Sequence, residues 1–123
     1  MARHILVVMS SPTQGREDEY NDWYSEVHLA EVVKVPGFVS AQRFELADTQ
    51  LKDILTPDEK GNKVYGESKH RYLAIYEMEA DTSTDAIQAL RQARPKFQMT
   101  GALGNELSVW AYTPITDVVQ SPD

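Results

Sequence analysis

The sequence predicts a single α+β domain of order βαββαβ, a four-stranded antiparallel sheet with two helices on one of its faces. Three observations carry that prediction. Four short runs rich in β-branched or alternating apolar residues (4–9, 38–46, 71–78 and 107–112) are interleaved with two segments of helical period. At 123 residues the chain has the size of one domain and leaves no room for a second independent core. A strand–helix–strand crossover is right-handed, so two such units in succession place both helices on the same side of one sheet.

Residues 4–9 form a compact apolar run closed by Ser10, Ser11 and Pro12, and read as the first strand. From 16 to about 33, Tyr20, Trp23, Tyr24 and Val27 recur at i, i+3, i+4 and i+7 with no Gly or Pro between them, the stripe of an amphipathic helix. Glu17, Asp18 and Glu19 suit the positive end of its dipole. Pro36 and Gly37 stop it, and 38–46 alternates as strand two. Residues 48–69 are polar and turn-rich, with signals at Thr56-Pro57-Asp58 and Lys60-Gly61-Asn62, and are expected to form a flap or a loose loop. Strand three, 71–78, puts Tyr72, Ala74, Tyr76 and Met78 on one face, and the pattern leaves open which face meets the helices. Thr82 and Asp85 resemble a capping pair for a second helix whose Ala86, Leu90 and Ala93 share a side, with Pro95 ending or kinking it. The last strand is 107–112. The core thus spans about 3–113, and 114–123 is a tail on the surface, or one that crosses onto a partner subunit.

The first strand carries Ile5, Val7 and Met9 on one side and Leu6 and Val8 on the other, yet helices can cover only one side. A second copy is the economical cover, and two sheets packed across a two-fold axis close into a barrel, so a homodimer is expected. Nucleic acid is a poor partner, because 19 acidic residues outweigh 12 basic ones, the net charge is −7, and no basic stripe is present. The absence of cysteine excludes thiolate chemistry and fits a reducing compartment. The first apolar run is too short for a signal segment or a membrane span, so a cytoplasmic protein with no membrane partner is expected. His4, His28 and His70 match no metal-ligand spacing, and Gly101 and Gly104 follow a helix rather than a strand, so no metal or nucleotide cofactor is expected.

On a helical wheel His28 extends the Tyr20, Tyr24, Val27 stripe and faces the sheet, and Asn21, Tyr24 and His28 at i, i+3 and i+7 form a polar edge on that apolar face. A desolvated imidazole with no carboxylate adjacent in sequence stays neutral near pH 7 and suits a general base; the alternative is a core histidine satisfied by one hydrogen bond. Tyr72 and Tyr76 can reach the same pocket or simply pack in the core. Trp23 and Trp110 are expected chiefly as core or dimer anchors, and second as surfaces on which a substrate stacks. Arg43 binds a carboxylate or enolate if it faces inward and makes an exposed ion pair if it does not.

Asn21-Asp22-Trp23-Tyr24-Ser25-Glu26-Val27-His28, followed by Val35-Pro36-Gly37-Phe38 and Ala41-Gln42-Arg43-Phe44, resembles the dimeric α+β barrel (ferredoxin-like) superfamily, nearest its EthD-like branch. The resemblance covers residues 3 to 47 well, and the second half matches in element order. It implies a fold shared by polyketide cyclases and dehydratases, olivetolic-acid-cyclase-like proteins, cofactor-free quinol monooxygenases, lactone isomerases and haem-degrading enzymes. It further implies His28, Tyr24 and Trp23 as pocket residues. Together with the residue reading, the expected function is a cofactor-independent lyase, cyclase, dehydratase or isomerase acting on a hydrophobic aromatic or polyketide-like carbonyl compound. His28 would be the base, Tyr24 with Tyr72 or Tyr76 would stabilise the oxyanion, and Asn21 would orient the imidazole or the substrate. A small-ligand binding protein without chemistry and a quinol-type monooxygenase are the alternatives.

Overall fold

The computed structural model describes residues 2–123. Its strands are β1 (Ala2–Pro12), β2 (Phe38–Glu45), β3 (Tyr72–Ala80) and β4 (Leu103–Tyr112). They form one antiparallel sheet of order β2-β3-β1-β4, the topology that the βαββαβ order predicts. The most apolar run of the sequence, in β1, takes a central position with partners on both edges, where its backbone groups are all paired. Among the described residues no helix is long and apolar enough to cross a membrane.

The first helical segment is one continuous rod of changing pitch. Helix α1 (Glu17–Trp23) opens with three carboxylates in its first turn, continues as a π-helical turn over Tyr24–His28, and finishes as α2 (Leu29–Val32). Gly37 then reverses the chain with φ of +92°, and a Cβ there would stand 3.3 Å from the Glu79 carbonyl oxygen, which glycine alone avoids. The second long helix, α5 (Ser83–Ala93), starts on the expected cap: Asp85 N–H donates to Thr82 Oγ1 at 3.2 Å. Arg94–Lys96 forms a 3-10 turn around Pro95, which ends the helix.

Two segments differ from the expectation. The turn-rich stretch 48–69 holds two short helices, α3 (Leu51–Ile54) and α4 (Pro57–Lys60). Thr56-Pro57-Asp58 is a helix start rather than a plain turn, with Thr56 and Glu59 in a reciprocal capping box (2.9 and 3.2 Å) and proline at the first helical position. Strand β4 begins at Leu103, four residues earlier than its apolar run suggests, because Leu103 pairs with Pro12 beyond a register shift that places the extra residues on β4. Gly104 permits that approach: a Cβ there would lie 2.6 Å from the Ser11 carbonyl oxygen.

The core lies between the sheet and the helices. Tyr72, Ala74, Tyr76 and Met78 of β3 face inward with Leu6 of β1, against Tyr20, Trp23, Tyr24 and Val32 of the first rod and Ala86 of α5. The other face of the sheet has no helix over it.

A candidate site around Tyr24

The sequence places five aromatic or polar side chains along the first rod, and the π-helical turn decides where each one points. A π turn closes i→i+5 bonds and so advances each side chain by a smaller angle than an α turn. Asn21 and His28, seven residues apart, therefore do not share the single polar edge that the α period predicts. Asn21 turns toward β2 and β3, and His28 turns toward the segment that follows α5.

The His28 ring is caged by aromatic side chains. It stacks on Trp23 (4.6 Å between centroids, 21° between planes), meets Tyr24 edge-on at 5.2 Å and meets Phe97 edge-on at 5.6 Å. The wall bearing Phe97 is pinned from two directions. Trp23 Nε1 donates to the Gln98 carbonyl oxygen at 2.7 Å, and the Gln98 N–H donates to the Glu31 carboxylate at 2.9 Å. His28 Nδ1 is buried and has no hydrogen-bond partner among the described residues. Burial disfavours the imidazolium and lowers the pKa from 6.5 to about 4, against a weaker opposing pull from Glu31. The ring is neutral at pH 7.

Tyr24 has a different neighbour on its other side. The Arg43 guanidinium carbon lies 4.7 Å from the Tyr24 ring centre, 5.3 Å from that of Tyr72 and 5.4 Å from that of Tyr20. Arg43 faces the helices, opposite Ala74 in the register, and donates to Asn21 Oδ1 and Ser25 Oγ, each at 2.8 Å. Asn21 Nδ2 donates to the Tyr72 hydroxyl at 3.3 Å, and that hydroxyl donates to Glu17. Beneath these groups Tyr20 and Ser10 share a hydrogen bond of 2.5 Å, while the buried Tyr76 hydroxyl has no partner among the described residues. Burial pushes the Tyr24 and Tyr76 phenols up, so both stay protonated at any physiological pH.

The predicted residues thus fall into two groups that meet at Tyr24: His28 with Trp23 on one side, and Arg43, Asn21 and Tyr72 on the other. Tyr76 projects from the same face of β3 as Tyr72, into the core. Asn21 does not reach the imidazole. Trp110 belongs to neither group; it is 61 % exposed on the uncovered face of the sheet, opposite Val7. Arg43 makes no ion pair and is held by neutral acceptors. Glu17, Ser25 and Phe97 are the participants that the pattern did not reveal. Phe97 follows Pro95 outside any periodic element and carries no local signal, whereas Ser25, one turn from Asn21, was there to be found on the wheel.

An open groove runs beside the cage, lined by Glu19, Asp22, Trp23, Glu26, Val27 and Gln98–Thr100. Trp23 is common to the groove and to the stack on His28, so a single indole separates them. Among the described residues no group of three or more His, Asp or Glu side chains is arranged to hold a metal ion.

No family model matches the sequence, and no curated protein matches it. Solved structures do. The chain is similar to a proposed monooxygenase of Shewanella loihica PV-4, with 14 % identity over 98 % of this chain and 97 % of that one, TM-score 0.54. It is also similar to MhuD, a haem-degrader of Mycobacterium tuberculosis seen with two haems in its active site, with 16 % identity over 94 % and 99 %, TM-score 0.56. An EthD-family protein of Bacillus halodurans C-125 aligns over 90 % and 96 %, with 16 % identity and TM-score 0.47. What the first two share with this chain is the fold, a ferredoxin-like α+β fold with a four-stranded antiparallel sheet.

Proposed function

We propose that this protein is a cofactor-independent enzyme that removes an acidic proton from a hydrophobic aromatic or polyketide-like carbonyl compound, with His28 as the general base. The observation that carries this reading is the His28 ring, neutral at pH 7 and half-buried among aromatic side chains, with a buried Nδ1 that has no hydrogen-bond partner among the described residues. Burial of that kind leaves a basic nitrogen available without competition from water. Tyr24 and Tyr76, whose phenols stay protonated, are suited to donate to the oxygen on which charge develops. A substrate reaches the imidazole from the groove by displacing the Trp23 indole or the Phe97 ring. The outcome of the chemistry is a lyase, cyclase, dehydratase or isomerase reaction according to what the carbanion does next. The working unit is a homodimer joined through the uncovered face of the sheet, where Ile5, Val7, Met9, Leu73 and Ile75 meet no helix.

The test is turnover of a panel of aromatic β-dicarbonyl compounds by His28→Ala and His28→Gln, with far-UV circular dichroism to show that each variant is folded. Loss of a positioned base costs about 10²- to 10⁴-fold in rate. A folded variant that keeps the wild-type rate removes the assignment, and a wild-type protein that binds such compounds and returns them unchanged supports the small-ligand binding protein instead.

A second reading, a quinol-type monooxygenase without cofactor, is favoured by the fold shared with the Shewanella protein. The same imidazole would take the proton of a hydroquinone and leave an anion able to reduce oxygen, so oxygen uptake with a hydroquinone separates the two. Haem, which MhuD carries in its active site, finds little support in these residues. The groove is lined by Glu19, Asp22 and Glu26, which would repel propionates, and the imidazole is stacked on Trp23 at 4.6 Å and met edge-on by Phe97 at 5.6 Å.

A further inference from the structure

Arg43 carries a positive charge that pairs with no carboxylate among the described residues, at a half-buried place on the inner side of the sheet. Most of the arginines and lysines that make close polar contacts do so with acids: Arg16 with Glu19 at 2.6 Å, Lys52 with Glu67 at 2.6 Å, Arg71 with Glu45 at 2.5 Å, and Arg3 with Glu77 at 3.1 Å. Arg91, which donates to Gln88 at 3.3 Å, is on the exposed side of α5. In a chain with 19 acidic residues, a half-buried guanidinium flanked by rings and held by neutral acceptors stands apart. A charge withdrawn from water is costly unless it has a counter-charge, so its persistence here calls for a partner that arrives from outside.

The surroundings hold the fork still without cancelling its charge. Ser25 Oγ and Asn21 Oδ1 accept at 2.8 Å, the Asn21 carbonyl oxygen lies at 3.5 Å, and the rings of Tyr20, Tyr24 and Tyr72 flank the guanidinium. These acceptors are neutral, and aromatic faces stabilise a cation while excluding water. Among the described residues the Nε–H has no acceptor. Glu17 and Glu45 are engaged elsewhere, Glu17 by the Tyr72 hydroxyl and Glu45 by Arg71. Arg43 stands opposite Ala74, a small residue, in the strand register.

We infer that Arg43 is an anion-binding group for the carboxylate of an aromatic acid, and that the substrate is therefore a carboxylate-bearing aromatic compound rather than a neutral one. This rests on the reading of Tyr24 as the shared wall of the site: the imidazole lies 5.2 Å from that ring and the guanidinium 4.7 Å from it. A planar guanidinium fork binds a carboxylate bidentately, which fixes the acid end while the tyrosine rings hold the aromatic body.

The test uses 2-naphthoate and 2-naphthamide, which share a ring system and differ in charge, titrated by calorimetry into the full chain. The wild type binds naphthoate about tenfold or more tightly than naphthamide, as a charge-assisted pair requires. Arg43→Gln loses the preference, and Arg43→Lys, which keeps the charge without the fork, retains part of it. His28→Ala keeps the preference, so a failed assignment of the base and a failed assignment of the anion site give different results. If Arg43→Gln does not fold, the Arg43 Nε–H resonance of the wild type serves instead, shifting on addition of naphthoate and not of naphthamide. Equal affinity for the two compounds, binding of neither, a preference that survives in folded Arg43→Gln, or an unmoved resonance overturns the inference.

Discussion

The two faces of the sheet are made by the same strands at alternate positions, and they meet different fates. On the inner face Leu6, Ala74, Tyr76 and Met78 are buried in one cluster with the aromatic rings of the first rod. On the outer face Ile5, Val7 and Met9 of β1 sit opposite Glu77, Ile75 and Leu73 of β3, with Phe44, Trp110 and Tyr112 on the flanking strands. Phe44, Trp110 and Tyr112 are 41 %, 61 % and 56 % exposed. Both faces are apolar enough to be buried, but only the inner one holds the candidate site, with its polar atoms among rings. The difference teaches that in this fold hydrophobicity marks where something must pack, whereas chemistry is marked by polar atoms trapped among apolar ones.

Four experiments sharpen that contrast. The largest effect is expected from truncation on the inner face: Tyr76→Ala leaves a ring-sized void and lowers the unfolding free energy by about 3–5 kcal/mol in denaturant titration. Trp110→Ala on the outer face changes the stability of an isolated chain by under about 1 kcal/mol, and it weakens self-association measured by sedimentation. Similar losses of stability at both positions at monomer concentrations would abolish the distinction between the faces.

Next in size is the pH dependence of His28. Its pKa is 6.5 in the unfolded chain and about 4 when folded, so below pH 6.5 the unfolded state takes up a proton that the folded state refuses. The stability contributed by the neutral ring is complete above pH 6.5 and is lost as pH falls toward 4, by up to about 3 kcal/mol. In His28→Gln the fall across that window is correspondingly shallower, and an unchanged slope would show that the ring is not desolvated in solution. Activity limited by the base rises with pH near 4 and is flat above pH 6.

The smallest effect is expected from Tyr76→Phe, which removes a buried hydroxyl with no partner. Stability should stay within about 1 kcal/mol of the wild type or rise, because an unsatisfied polar group is lost and the ring is kept. If Tyr76 donates to the substrate oxygen, turnover nevertheless falls; a variant less stable by several kcal/mol would mean that the hydroxyl is satisfied.

The element order, the caps at Thr82 and the acidic first turn of α1 were legible because each depends on residues within a few positions of one another. That Tyr72, Ala74, Tyr76 and Met78 share one face of β3 was legible too, but not that this face is the one the helices cover. The resemblance implied His28, Tyr24 and Trp23 as pocket residues, and the three rings do touch. The partnership of Asn21 with Arg43 was not legible, since it joins a helix to a strand across 22 positions. The cage around His28 was only half visible, because Phe97 is brought to it by a turn with no period of its own.

The sequence by itself determined the sheet, its order and the set of aromatic and polar side chains that a site could use, because hydrophobic period and turn chemistry are local. Only the tertiary structure decided how that set is divided. A π turn at Tyr24–His28 aims the imidazole at Phe97 and leaves Asn21 to the guanidinium. Side-chain direction past such a turn depends on which backbone hydrogen bonds close, and packing against the sheet and the 97–100 segment selects those.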